Sequence, residues 1–177
     1  MTGVVSVREL ARPDLLQVGE LCDRLRANDP AVEPFAQRLP LIAAGPRALL
    51  DLWRVAQDEE GTLYGISFAA VRESRAAQGV QGTTADLYAA VAAELRRQGL
   101  GRVLCAPALQ WAAAHGATLR SRVRDDARAG QAFLRALGFR ETSAQLTLSW
   151  SAVPLQAPAL VWRYFTNRAS FYDLPPG

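Results

Sequence analysis

Lysine is missing altogether from this 177-residue chain: all 20 basic residues are arginine, set against 17 acidic ones, for a formal charge of +3. Arginine titrates far above neutrality, so the isoelectric point near 9.3 overstates the charge carried at pH 7. Arginine and alanine richness without lysine reads as the coding bias of a GC-rich bacterial genome. So small a positive balance suits an anionic small ligand and argues against a nucleic-acid binder. Histidine occurs once, at His115, which is too few for a histidine-based metal site. The two cysteines, Cys22 and Cys105, stand far apart in no CxxC pair, so neither a disulfide framework nor a zinc site is expected. No run of about 18 apolar residues is present, which leaves no expected helical span. The opening MTGVVSVREL has no basic run leading into an apolar one and does not read as a secretory signal, so the expected location is the cytoplasm.

What is present is ordinary for a globular domain: 50% hydrophobic and 21% charged residues. A chain of this length can bury about 70% of its unfolded surface. Val4 to Leu10 alternates and reads as a strand. Leu15, Leu16, Val18, Leu21, Cys22 and Leu25 recur at helical spacing, and Asn28-Asp29-Pro30 ends that helix. Prolines are dense from Pro30 to Pro46, predicting loops, with a short helix over Pro46 to Asp51. Leu52–Gln57 and Leu63–Arg72, joined by the polar turn Asp58 to Gly61, predict an antiparallel hairpin. Glu73 to Gly82 reads as a loop. Thr83–Val91 predicts a strand, Gly99–His115 a helix stopped by Gly116, and Ala117–Arg124 a strand. Asp126 to Leu137 predicts a helix capped by Asp126 and ended by Gly138, and Phe139–Trp150 one or two strands. Helices between late strands make the sheet mixed.

The segment Val91-Ala92-Ala93-Glu94-Leu95-Arg96-Arg97-Gln98-Gly99-Leu100-Gly101 carries the strongest chemical signal. It joins a strand end to a helix start through a loop with two glycines. Glycines let main-chain N–H groups approach a ligand closely. A helix start adds about four unpaired donors and a partial positive charge. Such a site favours phosphate or diphosphate, and Arg96, Arg97 and Arg102 add full charges beside it. A Rossmann reading fits less well, since it needs three glycines after the first strand of a parallel unit. No GK[ST] sequence of a P-loop exists.

These residues resemble the acetyl-CoA motif of the GNAT superfamily of N-acetyltransferases, [QR]-x-x-G-x-[GA], with Arg96, Gly99 and Gly101 at its fixed positions. Val91-x-x-Glu94 is similar to the family's V-x-P-E lead-in, with Ala93 where proline is usual. Ala132 to Phe139 resembles the family's helix ending in Gly-Phe. The resemblance covers residues 3 to 150, and it implies an α+β fold: a central mixed, mostly antiparallel sheet of six to seven strands flanked by about four helices, with a V-shaped splay between the motif strand and the next. Residues 1–150 would form one acyltransferase domain. The aromatic-rich 151–177 would pack on it or on a partner subunit, giving a possible homodimer.

The resemblance also implies direct transfer of an acetyl group from acetyl-CoA to an amine of a small molecule or peptide, with no metal. Main-chain groups of Gln98, Gly99, Leu100, Gly101 and Arg102 would hold the diphosphate, with Arg96 and Arg97 beside them. The pantetheine arm would lie along Tyr88 to Val91, with the N–H of Val91 or a neighbour such as Ala89 polarising the thioester carbonyl. Asp126 is a further candidate contact to the arm. An amine of pKa about 10.4 must lose a proton before it attacks, so a base is needed. Asp86 and Glu73 are the acidic candidates. Leu134 stands where many members have a tyrosine donor to the thiolate, so Tyr88 or a water would take that role. Because that tyrosine, and the asparagine that Ala127 replaces, are missing, the alternative is a catalytically weak acyl-CoA-binding or regulatory module.

Overall fold

The computed structural model describes residues 4–28, 47–48, 52–73, 83–154 and 160–175. The chain divides into two compact units, Met1–Ser121 with Asp173–Gly177, and Arg122–Tyr172.

In the first unit, β1 (Ser6–Glu9) is followed by a 3-10 turn (Arg12–Asp14) and α1 (Leu15–Asn28). Then come β2 (Arg47–Ala48), β3 (Arg54–Gln57), β4 (Leu63–Glu73), β5 (Thr83–Val91), α2 (Leu100–His115) and β6 (Thr118–Arg124), which carries the chain into the second unit. The strand order is β1-β3-β4-β5-β6, with β2 beside β4. Every pairing is antiparallel except β5 with β6, which α2 connects as a parallel crossover. The sheet is therefore mixed, as the order of elements predicts. The short helix expected over Pro46 to Asp51 is not what forms at Arg47–Ala48. Those two residues pair with Val71 and Ala70 as a strand, because main-chain bonds to β4 override local propensity; the rest of that prediction lies outside the described residues.

Among the described residues, α1 packs on one face of this sheet and α2 on the other. Val18, Leu21, Cys22 and Leu25 of α1 fall at i, i+3, i+4 and i+7 and are buried against Trp53, Val55, Ile66, Phe68 and Tyr88. Leu16, expected within that stripe, lies outside it and is 83% exposed. On the other face Leu104, Cys105, Ala108 and Ala112 of α2 are buried over β4 and β5. The helix comes very close there. A Cβ added at Gly65 would meet Leu104 Cδ1 at 2.9 Å, and Ser67 Oγ donates to Leu104 O at 2.6 Å. Pro107 sits inside α2 without ending it.

The second unit contains α3 (Arg128–Ala136), β7 (Arg140–Pro154) and β8 (Leu160–Leu174), whose last residues return to the first unit's sequence; β7 and β8 are neighbours. Asp126 does not cap α3. The N-cap is Ala127, with no side-chain bond, because the Asp126 carboxylate is held by Arg124 at 3.0 and 2.6 Å. Gln131 instead reaches back to the carbonyls of Arg124 and Asp125. Gly138, at φ 93°, ends the helix in a conformation few other residues adopt. Tyr172 is fully buried, with the Arg135 guanidinium 5.9 Å from its ring centroid. Leu160–Leu174 of the aromatic tail is thus a strand, with the buried Tyr172 near its end.

Candidate active site

The site begins where β5 outruns its partner. The parallel ladder joins Thr84, Ala85 and Asp86 to Thr118, Leu119 and Arg120, and β5 then continues to Val91. This is where the expected parting of the two strands starts. On its other side β5 stays paired with β4 as far as Gly65–Val91, and Ala92 N–H donates to Tyr64 O at 2.8 Å. In an antiparallel pair alternate residues bond to the same neighbour. Ala90 and Ala92 therefore turn their main-chain groups to β4, while Leu87, Ala89 and Val91 turn theirs to the opposite edge. Two of those carbonyls are already engaged by side chains: Leu87 O accepts from Ser121 Oγ at 3.0 Å, and Val91 O from Arg96 Nε at 2.9 Å. The stretch between these two bonds is a short main-chain edge at Ala89 and Val91.

Beyond it, a 3-10 turn (Ala93–Leu95) leads to Arg97 at φ 67° and Gly99 at φ 83°, with Gln98 between them outside the positive range. Such alternation turns successive N–H groups into a concave nest suited to an anion. Gly99 is the N-cap of α2, which has no side-chain cap and no acidic residue in its first turn. Gly99 O accepts from Arg102 N and Val103 N. Among the described residues nothing accepts the N–H groups of Gln98, Gly99, Leu100 or Gly101. The Arg102 N–H is used internally, donating to Gly99 O, and the side chains of Arg97 and Arg102 are exposed. A Cβ at Gly99 would meet nothing within 4 Å, so it projects into open space. Open donors, adjoining cations and a first turn of α2 without a carboxylate fit a diphosphate.

Asp86 lies opposite Ala70 and Arg120, half-buried, on the same face of β5 as Tyr88. Arg120 forks onto Asp173 at 3.0 and 3.2 Å. Its affinity for its proton is raised first by that bond, against the opposing effect of burial, and also by the charge of Asp86. Tyr88 is 9% exposed and stacks on Phe68 at 5.0 Å, which in turn lies 5.2 Å from Trp53. Burial raises the pKa of the Cys22 thiol on α1, and the nearby Tyr88 hydroxyl opposes that rise. Glu73 ends β4 opposite Thr83, and its side chain lies outside the described residues.

The profile of the Acetyltransferase (GNAT) family matches residues 45–139 of the 177, a stretch that contains the β5 edge, the nest and α2. The chain belongs to the GNAT acetyltransferases. No curated protein matches it by sequence. Solved structures share its fold. The ribosomal-protein-S18-alanine N-acetyltransferase from Escherichia coli is 22% identical with a TM-score of 0.63, over 97% of this chain and 94% of that one. A Chaetomium thermophilum protein in complex with a bisubstrate analogue is 22% identical with a TM-score of 0.68, over 97% and 86%. The phosphinothricin acetyltransferase from Sinorhizobium meliloti, solved in complex with AcCoA, is 20% identical with a TM-score of 0.62, over 98% and 89%.

The two thiols of this GNAT acetyltransferase are buried, and burial pushes Cys22 up to about 11 and Cys105 up to about 12. Neither has the thiolate character of an acyl-accepting nucleophile. Among the described residues no three His, Cys, Asp or Glu side chains gather as a metal site, and no helix is long and apolar enough to cross a membrane. A cleft of about 290 Å³ beside α1 is lined by Gln17, Glu20, Arg24 and the Glu60–Leu63 turn, and holds none of the residues predicted from sequence. Sequence reasoning missed Ser121, Arg120 and Asp173. Their link to β5 depends on a parallel register and a returning strand that no local pattern announces. Asp126, predicted to face the cofactor, has its carboxylate on Arg124, which lowers its proton affinity.

Proposed function

We propose that this protein transfers an acetyl group from acetyl-CoA directly to an amine of a small molecule or peptide. The observation that carries the reading is the uncapped, arginine-flanked start of α2 placed one turn beyond the open main-chain edge of β5. In this reading the N–H groups of Gln98, Gly99, Leu100 and Gly101 hold the diphosphate, and Arg97 and Arg102 add charge. The edge at Ala89 and Val91 orients the pantetheine arm, and one of their N–H groups polarises the thioester carbonyl. The acyl donor supplies an activated acetyl group and a thiolate leaving group.

Asp86 is the base we assign. A strand rises about 3.4 Å per residue, so Asp86 stands roughly 10 Å from Ala89 and roughly 17 Å from Val91 along β5. Of the two N–H groups, that of Ala89 suits a base at Asp86, with a water bridging the remaining distance. Asp86 takes one proton from the ammonium, the amine nitrogen bonds to the acetyl carbon, the carbon–sulfur bond breaks, and the second proton shed by the nitrogen passes through water to the thiolate. Leu134 brings no hydroxyl to that last step, and the Tyr88 side chain is buried in the core beside α1. The two free thiols suit a reducing compartment, and on that ground we place the protein in the cytoplasm.

The test is release of free thiol when purified protein and acetyl-CoA meet a panel of small amines and peptides with free N-termini. Amine-dependent thiol release supports the assignment. Binding of acetyl-CoA with no release across a broad panel removes it.

A further inference from the structure

The end of the β5–β6 ladder is marked by a side chain. The register runs through Asp86–Arg120, and at the next step Ser121 Oγ, rather than a main-chain N–H, donates to Leu87 O across 3.0 Å. Ser121 is 8% exposed, so this carbonyl sits where water cannot replace the hydroxyl. A buried carbonyl needs a donor. When the neighbouring main chain supplies it, the ladder advances one more residue. When a hydroxyl supplies it, the need is met and the ladder stops. Leu87 is the first of the three residues past the last register pair, with Ala89 and Val91, whose main-chain groups face away from β4. Ser121 therefore closes one end of the open edge, and Arg96 on Val91 O closes the other.

We propose that Ser121 is a positioning residue for the acyl donor. Its hydroxyl terminates strand pairing at Leu87 and so fixes the point from which the pantetheine arm pairs with β5. This rests on the reading of that edge as the arm's site. Without the hydroxyl, Leu87 O is left to recruit a main-chain donor, which extends the ladder toward Ala89 at the arm's expense. The diphosphate nest is built from other atoms and is untouched by this change.

The experiment compares wild type, Ser121→Ala, Ser121→Cys and Ser121→Thr by calorimetric titration with two probes: coenzyme A, and 3′-phospho-ADP, which lacks the arm. For Ser121→Ala we expect a Kd for coenzyme A weaker by about tenfold or more, the scale of one lost hydrogen bond, with the Kd for 3′-phospho-ADP unchanged. Ser121→Thr, which keeps the hydroxyl, restores coenzyme A binding. Should Ser121→Ala fail to fold, Ser121→Cys, a weaker donor, takes its place and binds coenzyme A less well than Ser121→Thr. A folded Ala or Cys variant that binds coenzyme A like wild type, or that loses both probes equally, overturns the proposal and leaves the cofactor reading standing. If wild type binds 3′-phospho-ADP and coenzyme A with the same affinity, the arm has no site on β5 and both readings fall.

Discussion

Arg96 folds back onto the strand that precedes it, its Nε donating to Val91 O at 2.9 Å. The first residue of the cofactor motif thus acts on the protein's own main chain. It ties the end of β5 to the start of the nest, whose main chain the proposed function assigns to the ligand. Removing that tie with Arg96→Ala should weaken coenzyme A binding by about tenfold, the value of a hydrogen bond from a charged donor. Arg96→Gln, which keeps an N–H donor, should lose less. Equilibrium titration with coenzyme A checks the order; an Ala variant that binds as well as wild type means the tie is dispensable.

Gly99 stands at φ 83° with open space where a Cβ would go. Protein packing therefore does not forbid a side chain there; the backbone conformation does, and in the proposed reading so does the diphosphate. Gly99→Val should cost about 1–2 kcal/mol of stability through φ alone, and it should abolish measurable coenzyme A binding in protein that still shows a native circular dichroism spectrum. Retained affinity in that folded variant would show that the diphosphate is held elsewhere.

Asp86 differs from the cofactor residues in the kind of loss expected. Asp86→Asn keeps the shape and removes the proton acceptor, so kcat should fall by about 10²–10⁴-fold. The Kd for acetyl-CoA should stay within about twofold, since a group acting only on the amine proton contributes nothing to donor binding. Steady-state kinetics together with direct titration separate the two quantities. An unchanged kcat removes Asp86 from the mechanism.

Far from the nest, Asp14 anchors the entry to α1. Its carboxylate accepts both Arg8 Nη1 at 2.6 Å and Nη2 at 3.0 Å, and Ala11 N at 2.7 Å. The hydrogen bond from Arg8 is the main reason its proton affinity is lowered, against the opposing effect of burial. A lowered folded value means that the unfolded chain binds the proton more readily. The stabilisation is then fully present above the unfolded value of about 3.9 and is lost as pH falls through the lower folded value. Asp14→Asn should lower the melting temperature at pH 7, by about 1–3 kcal/mol in stability. The gap from wild type should close as pH drops below about 4. A gap that is constant from pH 7 to pH 3 would show that the charge of Asp14 is not what matters.

Much of this was legible before any coordinates. The α1 stripe, the hairpin, the motif strand and α2 with its glycine ends are local: periodicities of two and 3.6 residues, turn chemistry, and glycines where φ must be positive. The residues proposed to hold the cofactor fall in one contiguous segment because a strand–loop–helix start offers an anion main-chain donors of its own. Where the local signal was weak it misled. Arg47–Ala48 became a strand because β4 offered it bonds, and Asp126 left its capping position because Arg124 offered a fork.

What the tertiary structure alone decided is pairing across distance. Nothing near Ser121 or Leu87 in the sequence says that they meet 34 residues apart, and nothing near Asp173 says that it takes Arg120. A residue's type and its neighbours set the conformation it prefers. Which carbonyl a hydroxyl finds is set by the register of strands brought together through the burial of both sheet faces. That register, more than the motif, leaves the edge at Ala89 and Val91 open.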